Sequence, residues 1–497
     1  MLYPLVRWIS RISLEWYYRD VEVVGSERIP RAGPLLLAVN HPNNVVDALV
    51  VMHVVPRRVR ITAKATLWKN PILRVAFPRI GIIPLRRYKD EAARVRAELE
   101  GAAAPARITP EASAAITPDA ARNADAFRAV LDTLAEGQAV LIFPEGISHS
   151  QPQLAPLRTG LARLALQARD DRGIRGLTLV PVGLVFERKW ELRSRILVHV
   201  GEPIEIDAWE RAGAPDRKDT VARLTAEVNE RLRATTINFP TAEKTERVLG
   251  VARILTGVFD APRPLGAPDP PLINEVDVIR RVEAALATVP PAHAERLERF
   301  LARLEALRAE LARRDIPVNE VQISRAIAPA ARFAAREAAI IAGVGPLASW
   351  GRLNHWLPHR LALWLGRKTS KNPEDPAMHT MVIGLVFVLI AYAVQTALVW
   401  RWAGPGWALA YLISLPASAT WGLRFRDRTR RAARRTRTYL QFRSDPTLQP
   451  RLAQELMWIR EEALALEALA VAGGPGAAGG PGAAGPRAGS DLKPAAT

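Results

Sequence analysis

Short apolar runs alternate with amphipathic stretches in the first half of the chain. Six mostly apolar runs are each bounded by glycine, proline or polar residues, as buried strands usually are. They are residues 35–39, 59–63, 80–85, 139–143, 177–184 and 196–200. Stretches with helical spacing, such as residues 123–136 and 160–169, lie between several of these runs. The alternation predicts an α/β domain over residues 21–210, in which we expect a mixed sheet flanked by helices.

The first twenty residues have the pattern of a surface helix. Apolar residues from Leu2 to Trp16 recur at helical spacing on one side, whereas Arg7 and Arg11 lie on the other. Because these arginines interrupt the apolar run and no small-residue cleavage site follows, we do not expect a cleavable signal. Residues 1–20 are predicted to form an amphipathic helix in a membrane interface, or alternatively a helix that packs on its own domain.

The second half of the chain lacks strand signals and contains two long uncharged runs. Residues 211–345 are therefore predicted to form a helical region. Residues 381–400 carry no charge over twenty positions, which is enough to cross a bilayer about 30 Å thick, and residues 406–423 form a second uncharged run. We predict a two-span transmembrane hairpin over residues 381–423, with a buried hairpin in a soluble protein as the alternative.

Basic residues flank the predicted hairpin on both sides. Four of them lie between residues 360 and 371, and eight arginines lie between residues 424 and 437. Because basic flanks stay in the cytoplasm, both sides are predicted to be cytoplasmic, with residues 424–471 as a basic helical segment. Residues 346–371 contain three tryptophans and are predicted to form an interfacial helix. We therefore expect a bacterial inner-membrane protein with its N-terminal domain on the cytoplasmic face.

Composition narrows the function further. With 69 basic and 50 acidic residues the formal charge is +19, which indicates an anionic partner: nucleic acid, a membrane surface or a phosphorylated substrate. Because 49% of the residues are hydrophobic, the chain is not a disordered polyelectrolyte. The absence of cysteine excludes disulfides, cysteine-ligated zinc and thiol nucleophiles. Residues 472–497, which contain the hexapeptide Gly-Gly-Pro-Gly-Ala-Ala twice, are predicted to be a disordered tail.

His41 is the first candidate for chemistry. It follows the apolar run 35–39, and the end of a strand is the usual place for an active-site group in an α/β layer. Asp47 lies six residues further on, so a turn at Pro42 would have to bring the two side chains together. A carboxylate on one imidazole nitrogen fixes the tautomer and raises the basicity of the other, which produces a general base. By itself the pair is weak evidence, since most such pairs in a protein are unconnected.

Two further segments add candidate binding residues. Arg86 and Arg87 end the run that begins at Gly81, and two guanidiniums at a strand end are suited to hold a phosphate. Glu145 lies in a Pro-Gly turn after the run 139–143, where a carboxylate can accept hydrogen bonds from a polyol. Alternatively, Arg87 is a solvated surface charge and Glu145 is an ordinary turn residue.

Together and in this order, the three segments resemble the glycerolipid acyltransferase superfamily, which includes 1-acylglycerol-3-phosphate and glycerol-3-phosphate acyltransferases. The resemblance covers roughly residues 24–203. It implies that His41 and Asp47 are catalytic and that Arg87 binds substrate. The Phe-Pro-Glu-Gly motif of the family matches residues 143–146, which implies that Glu145 and Gly146 are also substrate-binding residues. The fourth family motif, an apolar run with a proline, matches residues 180–182.

The spacing of the first motif differs from its commonest form in the family. Five residues separate His41 from Asp47 here, whereas four are usual. The longer spacing resembles a subgroup that includes some fungal-type glycerol-3-phosphate acyltransferases and that also has Ser-His after Phe-Pro-Glu-Gly, as Ser148 and His149 are here. This difference does not change the resemblance to the superfamily, but it leaves the identity of the acceptor undecided. The acceptor is glycerol 3-phosphate, its 1-acyl derivative or another lysophospholipid.

The resemblance implies direct acyl transfer without a cofactor. His41 would take the proton of an acceptor hydroxyl as that hydroxyl attacks the thioester of acyl-CoA or acyl-carrier protein, while Asp47 steadies the imidazolium. Arg87, with Arg86 and Lys64, would hold the acceptor phosphate, and Glu145 would hold the glycerol hydroxyls. The expected partners are therefore an acyl thioester, a phosphorylated glycerol or lysophospholipid, and anionic membrane lipids.

Other functions fit the sequence less well. The chain has no Gly-x-Ser-x-Gly elbow of a serine hydrolase and no His-Glu-x-x-His zinc motif, so neither that chemistry nor a metal is expected. A non-catalytic membrane or nucleic-acid-binding protein is the alternative, but we find no nucleic-acid-binding motif and expect no nucleic acid as partner. A transporter is disfavoured because the two uncharged runs contain no ionisable residue that would mark a transport path.

Overall fold

The part of the chain that the structure, a computed structural model, describes forms two compact units. The described residues are 2–85, 124–209, 216–239, 242–259, 270–370, 372 and 375–473. The first unit lies within Met1–Glu246, Pro268–Val276 and Ala326–Thr436, and the second lies within Arg247–Ala267, Asp277–Arg325 and Arg437–Thr497.

An eight-stranded mixed sheet forms the centre of the first unit. Its strands in chain order are β1 (Asp20–Val24), β2 (Leu35–Val39), β3 (Val59–Lys64), β4 (Ile82–Leu85), β5 (Ala139–Ile142), β6 (Thr178–Phe186), β7 (Arg195–Val200) and β8 (Ile204–Glu205). Across the sheet the order is β1-β7-β6-β2-β5-β3-β4, and β8 pairs with β6. The pairs β6–β7 and β6–β8 are antiparallel, and the other described pairs are parallel. The predicted mixed sheet is confirmed, and the six predicted strands correspond to β2 through β7.

Helices cover both faces of this sheet, as predicted. They are α1 (Leu2–Tyr17), α2 (Val45–Val54), α3 (Pro71–Ile80), α4 (Ala124–Ala135), α5 (Gly160–Asp170) and α6 (Arg217–Thr235). Leu35, Leu37 and Val39 of β2 share a core with α1 and α2 on one face. Leu36 and Ala38 share a second core with α4, α5 and α6 on the other face. Because β2 is buried on both faces, its sequence is an unbroken apolar run.

The N-terminal helix α1 packs one side on its own domain and exposes apolar side chains on the other. Leu14 and Tyr17 are buried in the domain core, so one side of the helix packs on its own domain. On the other side Leu5, Trp8 and Ile12 are exposed. These exposed apolar side chains are the ones that an interfacial helix would place among lipids.

The region after the sheet is helical, as expected. Its helices are α7 (Ala242–Phe259), α8 (Leu272–Thr288), α9 (Ala294–Arg313), α10 (Ile327–Thr369), α11 (Pro376–Ala403), α12 (Pro405–Ser444) and α13 (Leu448–Gly473). In the second unit α9 packs on α13, with Phe300 of α9 lying against Trp458.

In the first unit, α10 packs closely against α11 and α12. Small residues allow this approach: a side chain at Gly366 would collide with Thr380 of α11, and one at Gly351 would collide with Ser418 of α12. The segment predicted as a separate interfacial helix, residues 346–371, is mostly the C-terminal part of α10.

Among the described residues, α11 alone is long and apolar enough to cross a membrane, judged by length and composition. The second predicted span, residues 406–423, lies in α12, which is long but not sufficiently apolar by the same measure. Gly404 joins the two helices with a left-handed φ of 87°, which permits the tight turn expected between them.

Candidate active site

The turn after β2 brings His41 and Asp47 together. Asp47 lies in the first turn of α2, and its Oδ2 is 2.9 Å from Nδ1 of His41. The same carboxylate oxygen accepts a hydrogen bond from the backbone N–H of Asn43 at 2.7 Å. The six-residue separation is therefore closed by a turn through Pro42 that wraps around the carboxylate. Asp47 engages Nδ1, which leaves Nε2 as the ring nitrogen that can accept a proton.

The Asp47 side chain is fully buried, with 0% of its surface exposed. Burial raises the pKa of this carboxyl above its usual value, and the opposing effects of His41 and Asn43 do not cancel the shift. Its second oxygen, Oδ1, is buried without a hydrogen-bond partner in the part of the chain that the structure describes. A carboxylate in so dry a site interacts strongly with any positive charge that forms on the imidazole beside it.

Phe143 and Asn40 fix the surroundings of His41. The His41 ring stacks on the Phe143 ring, with centroids 3.8 Å apart and planes 11° from parallel. Asn40 donates a hydrogen bond to the carbonyl of Leu184 and accepts one from its N–H, at 3.1 and 2.7 Å. These contacts join the end of β2 to β5 and β6, its two neighbours in the sheet, so the histidine is held by three strands.

Glu145 lies beneath the turn of residues 40–44 and not in an open cleft. Its side chain is only 1% exposed. Oε1 accepts the backbone N–H of His41 at 2.7 Å, and Oε2 accepts the N–H of Ala155 at 2.8 Å. Nε2 of His149 lies 2.5 Å from Oε2. Gly146 follows with φ 71°, a left-handed conformation that glycine adopts without strain. Both carboxylate oxygens are thus bonded to the protein itself, a local role that the sequence did not reveal.

Ser148 and His149 tie the two motif loops together. The hydroxyl of Ser148 accepts the N–H of Asn44 at 3.0 Å, and the N–H of His149 donates to the carbonyl of His41 at 3.2 Å. The N–H of Gln151 donates to Nδ1 of His149. In this arrangement Nδ1 of His149 is the acceptor and Nε2 carries the proton donated to Glu145. The Ser-His pair, noted in the sequence only as a subgroup feature, therefore supports the turn of residues 40–44.

The candidate residues follow the carboxyl ends of four mutually parallel strands. His41 follows β2, Lys64 ends β3, and Glu145 follows β5. Arg86 and Arg87 come next in sequence after β4, but they lie outside the described residues. Because the carboxyl ends of parallel strands lie along one edge of a sheet, this edge is where a substrate is expected to bind. Among the described side chains, no group of three or more His, Asp and Glu could hold a metal ion.

Comparison with known proteins agrees with this geometry. Residues 20–185, which include His41, Asp47 and Glu145, match the family model described as Acyltransferase. Residues 20–185 form a domain that matches the Acyltransferase family. This domain comprises β1 to β5 and most of β6, together with the helices between them.

Several curated proteins are similar to the chain, two of them over more residues than this domain contains. An uncharacterised acyltransferase of Schizosaccharomyces pombe is 25% identical over 303 residues, which are 49% of this chain and 45% of that protein. Glycerol-3-phosphate O-acyltransferase 1 of Saccharomyces cerevisiae is 24% identical over 339 residues, covering 56% of this chain and 44% of the yeast protein. Glycerol-3-phosphate O-acyltransferase 2 of the same yeast is 34% identical over 119 residues, covering 24% and 16%. The chain thus spans less than half the length of these relatives.

A solved structure also matches, that of the 1-acyl-sn-glycerophosphate acyltransferase of Thermotoga maritima. It is 16% identical, with a TM-score of 0.30, over 46% of this chain and 80% of that protein. A likeness at this level carries no argument about the acceptor.

Replacing Glu145 with glutamine tests whether this residue positions His41 or binds the acceptor. We expect kcat to fall by about tenfold to a hundredfold with the acceptor KM unchanged. The amide has one oxygen for the N–H groups of His41 and Ala155, so its nitrogen must face one of these donors, but no contact to the acceptor substrate is removed. Steady-state kinetics on the purified variant measures both constants. A raised acceptor KM at unchanged kcat would instead assign Glu145 to the acceptor hydroxyls, as the family resemblance implies.

Proposed function

We propose that this protein is a membrane-bound O-acyltransferase that moves a fatty acyl group from acyl-CoA or acyl-carrier protein to a hydroxyl of glycerol 3-phosphate or its 1-acyl derivative. The observation that carries the proposal is the His41–Asp47 pair, 2.9 Å apart at the carboxyl edge of the sheet in an acyltransferase domain. The two yeast relatives are glycerol-3-phosphate O-acyltransferases, which supports glycerol 3-phosphate as the acceptor class.

In the proposed reaction His41 acts as a general base and then as a general acid. Nε2 takes the proton of the acceptor hydroxyl while the hydroxyl oxygen attacks the thioester carbonyl carbon. The carbon–sulfur bond then breaks, and the leaving thiolate takes the proton back from the imidazolium. Asp47, bonded to Nδ1, holds the ring in the tautomer that leaves Nε2 free, and its buried charge stabilises the imidazolium. The transfer needs no covalent acyl-enzyme and no cofactor.

The acceptor phosphate would bind at the carboxyl ends of β3 and β4, on the same edge of the sheet as His41. We assign it to Arg87, assisted by Arg86 and by Lys64 at the end of β3. Guanidiniums bind phosphate oxygens in pairs, so they discriminate a phosphorylated glycerol from glycerol itself. Glu145 is buried and bonded through both oxygens to His41, Ala155 and His149, which supports a role for Glu145 and Gly146 in shaping the turn under His41, and not a direct contact of Glu145 with the glycerol hydroxyls.

Membrane attachment would come from a two-span hairpin of α11 and the first half of α12. The apolar length of α11 supports this arrangement, as do the exposed tryptophans Trp400, Trp402 and Trp407 at the turn between the helices. The eight arginines between residues 424 and 437 would then lie at the cytoplasmic surface, where they attract anionic lipids. The acyltransferase domain would face the cytoplasm on the same side.

The acceptor is tested by comparing three substrates with one acyl-CoA. We expect the purified full-length protein, in nanodiscs, to acylate glycerol 3-phosphate with a higher kcat/KM than the 1-acyl derivative. Glycerol, which lacks the phosphate, is the matched control and is expected to give no product. A higher kcat/KM for the 1-acyl derivative would reassign the acceptor, and acylation of glycerol at a comparable rate would contradict the phosphate site.

A further inference from the structure

The catalytic turn is hydrogen-bonded to the beginning of the proposed membrane helix. We call residues 40–44 the catalytic turn. Asn44, its last residue, donates from Nδ2 to Oδ1 of Asp375 at 3.0 Å. Asp375 directly precedes α11 and is only 7% exposed. Its other oxygen accepts from Nδ2 of Asn372 at 2.8 Å, so the carboxylate is held on both sides. A buried carboxylate whose two oxygens each accept a hydrogen bond is a specific structural contact.

Asn44 has a conformation that needs support. Its φ is 52° and its ψ is −132°, a strained conformation for a residue other than glycine, which persists only where the surrounding structure holds it. Two neighbours do so: Ser148 accepts its backbone N–H, and Asp375 accepts its side chain. The carbonyl of Asn44 in turn accepts the N–H of Asp47 at 3.2 Å. The conformation of Asn44 therefore determines where α2 begins and where the Asp47 carboxylate points.

The first turns of α11 also belong to the core of the acyltransferase domain. Ala377 and Met381 are buried in the same apolar cluster as Val46 and Val50 of α2. The hydrogen bond from Asn44 thus lies at the edge of a packed interface between α2 and α11. An interface packed in this way holds the start of α11 in a fixed position relative to the catalytic turn.

From these contacts we infer that Asn44 and Asp375 are positioning residues through which the membrane helix α11 holds the catalytic turn in its active conformation. The pair touches neither substrate nor the reacting nitrogen, and it acts by keeping Asp47 on Nδ1 of His41. The inference rests on the proposed function, because it assigns to α11 a role in the reaction that His41 performs. It goes beyond that function in linking catalysis to the membrane segment.

Kinetics of single and double variants tests the inference. Asn44→Ala and Asp375→Ala are each expected to lower kcat about tenfold, with the acceptor KM unchanged, since about 1.4 kcal/mol corresponds to a factor of ten and matches one hydrogen bond to a charge. The double variant is expected to be no slower than either single variant, because both changes break the same bond. Asp375→Asn keeps an acceptor oxygen for Asn44 and is expected to recover part of the loss.

Ser370→Ala is the matched control. Ser370 lies in the same connection between α10 and α11, but its hydroxyl bonds to the carbonyl of Gly366 and not to the catalytic turn. We expect its kcat to equal that of the wild type. If the two alanine variants turn over as fast as the wild type, or if their losses multiply in the double variant, the inference is wrong while the proposed function stands. A wild-type protein that transfers no acyl group refutes the proposed function itself.

Hydrogen exchange provides a readout that does not depend on substrate. In Asn44→Ala and Asp375→Ala, the backbone amides of residues 43–47 are expected to exchange faster than in the wild type, because the hydrogen bond that holds the turn to Asp375 is lost. Amides of β5 report the rest of the domain and are expected to keep their wild-type rates. Equal exchange of the turn in all three proteins contradicts the inference, whatever their activity.

Discussion

Replacing His41 with alanine is expected to abolish acyl transfer in a protein that still folds. Removal of the general base costs about 10²- to 10⁴-fold in rate. His149 lies near by, but its Nε2 is bonded to Glu145 and its Nδ1 accepts the N–H of Gln151, so it cannot take over as base. The loss should appear in kcat, because the imidazole contributes to the transition state and not to the resting affinity for the thioester. Single-turnover measurements with labelled acyl-CoA separate this chemical step from product release.

His53→Ala is a matched control for the His41 variant. His53 lies in the last turn of α2, the helix that carries Asp47, and the charged groups near it are Arg7, Arg11 and Glu15 of α1. We expect its kcat to remain within twofold of the wild type, about the scatter of such measurements. Turnover retained by purified His41→Ala would overturn the assignment of the base, whereas an equal loss in both variants would indicate damage to α2.

Replacing Asp47 with asparagine is expected to lower kcat by about 10³- to 10⁴-fold while the fold remains intact. His41 and Asn43 bond to the same carboxylate oxygen, so an amide cannot replace it without loss. If the amide oxygen takes that position, both contacts remain but the negative charge that stabilises the imidazolium is gone. If the amide nitrogen takes it, the nitrogen donates to Nδ1 and forces the ring proton onto Nε2, which can no longer accept one from the substrate. A variant that keeps a tenth or more of the wild-type kcat would contradict the role of Asp47.

The same substitution has an expected signature in the pH dependence of stability. Burial raises the pKa of Asp47, so the folded protein binds this proton more tightly than the unfolded chain does. The contribution of this group to the free energy of unfolding is therefore complete below about pH 4, where the carboxyl is neutral in both states. It is lost as the pH rises through the raised pKa of the folded protein. Asparagine does not titrate and so avoids this loss. As the pH rises from about 4 through the pKa of Asp47, the melting temperature of Asp47→Asn should therefore increase relative to that of the wild type. Paired melting curves from pH 4 upward measure the difference, and a relative loss of stability would contradict the assigned shift.

The strands were predictable from the sequence where burial is complete. β2 and β6 are covered on both faces, so their residues form continuous apolar runs that stand out without any long-range information. The edge strand β1 was missed because Asp20 and Glu22 alternate with valines and none of its residues is buried. Ile80 was assigned to a strand but ends α3, since Gly81 terminates that helix with φ 96°.

The candidate site was predictable in its residue types but not in its connections. The proximity of His41 and Asp47 required only a local turn, which Pro42 indicated. The bond from Glu145 to the backbone of His41 and the bond from Asn44 to Asp375 join residues 104 and 331 positions apart. No local periodicity reports such contacts, because they depend on which strands and helices become neighbours in the fold.

The helix boundaries of the second half also depended on tertiary contacts. Our boundary between residues 345 and 346 falls inside α10, which continues through Pro346 and Pro358. Proline usually ends a helix, so the sequence alone favoured a break. Close packing of α10 against α11 at Gly366 stabilises a helix that its own sequence would interrupt.

The central claim is that His41 and Asp47 catalyse transfer of an acyl group to a phosphorylated glycerol. Its most direct test is to incubate the purified full-length protein with acyl-CoA and labelled glycerol 3-phosphate, with His41→Ala in parallel. We predict a labelled, lipid-soluble acylglycerol phosphate from the wild type and none above background from the variant. Equal product from both proteins, or no acylated product from a folded wild type with either acceptor and either acyl donor, would contradict the claim.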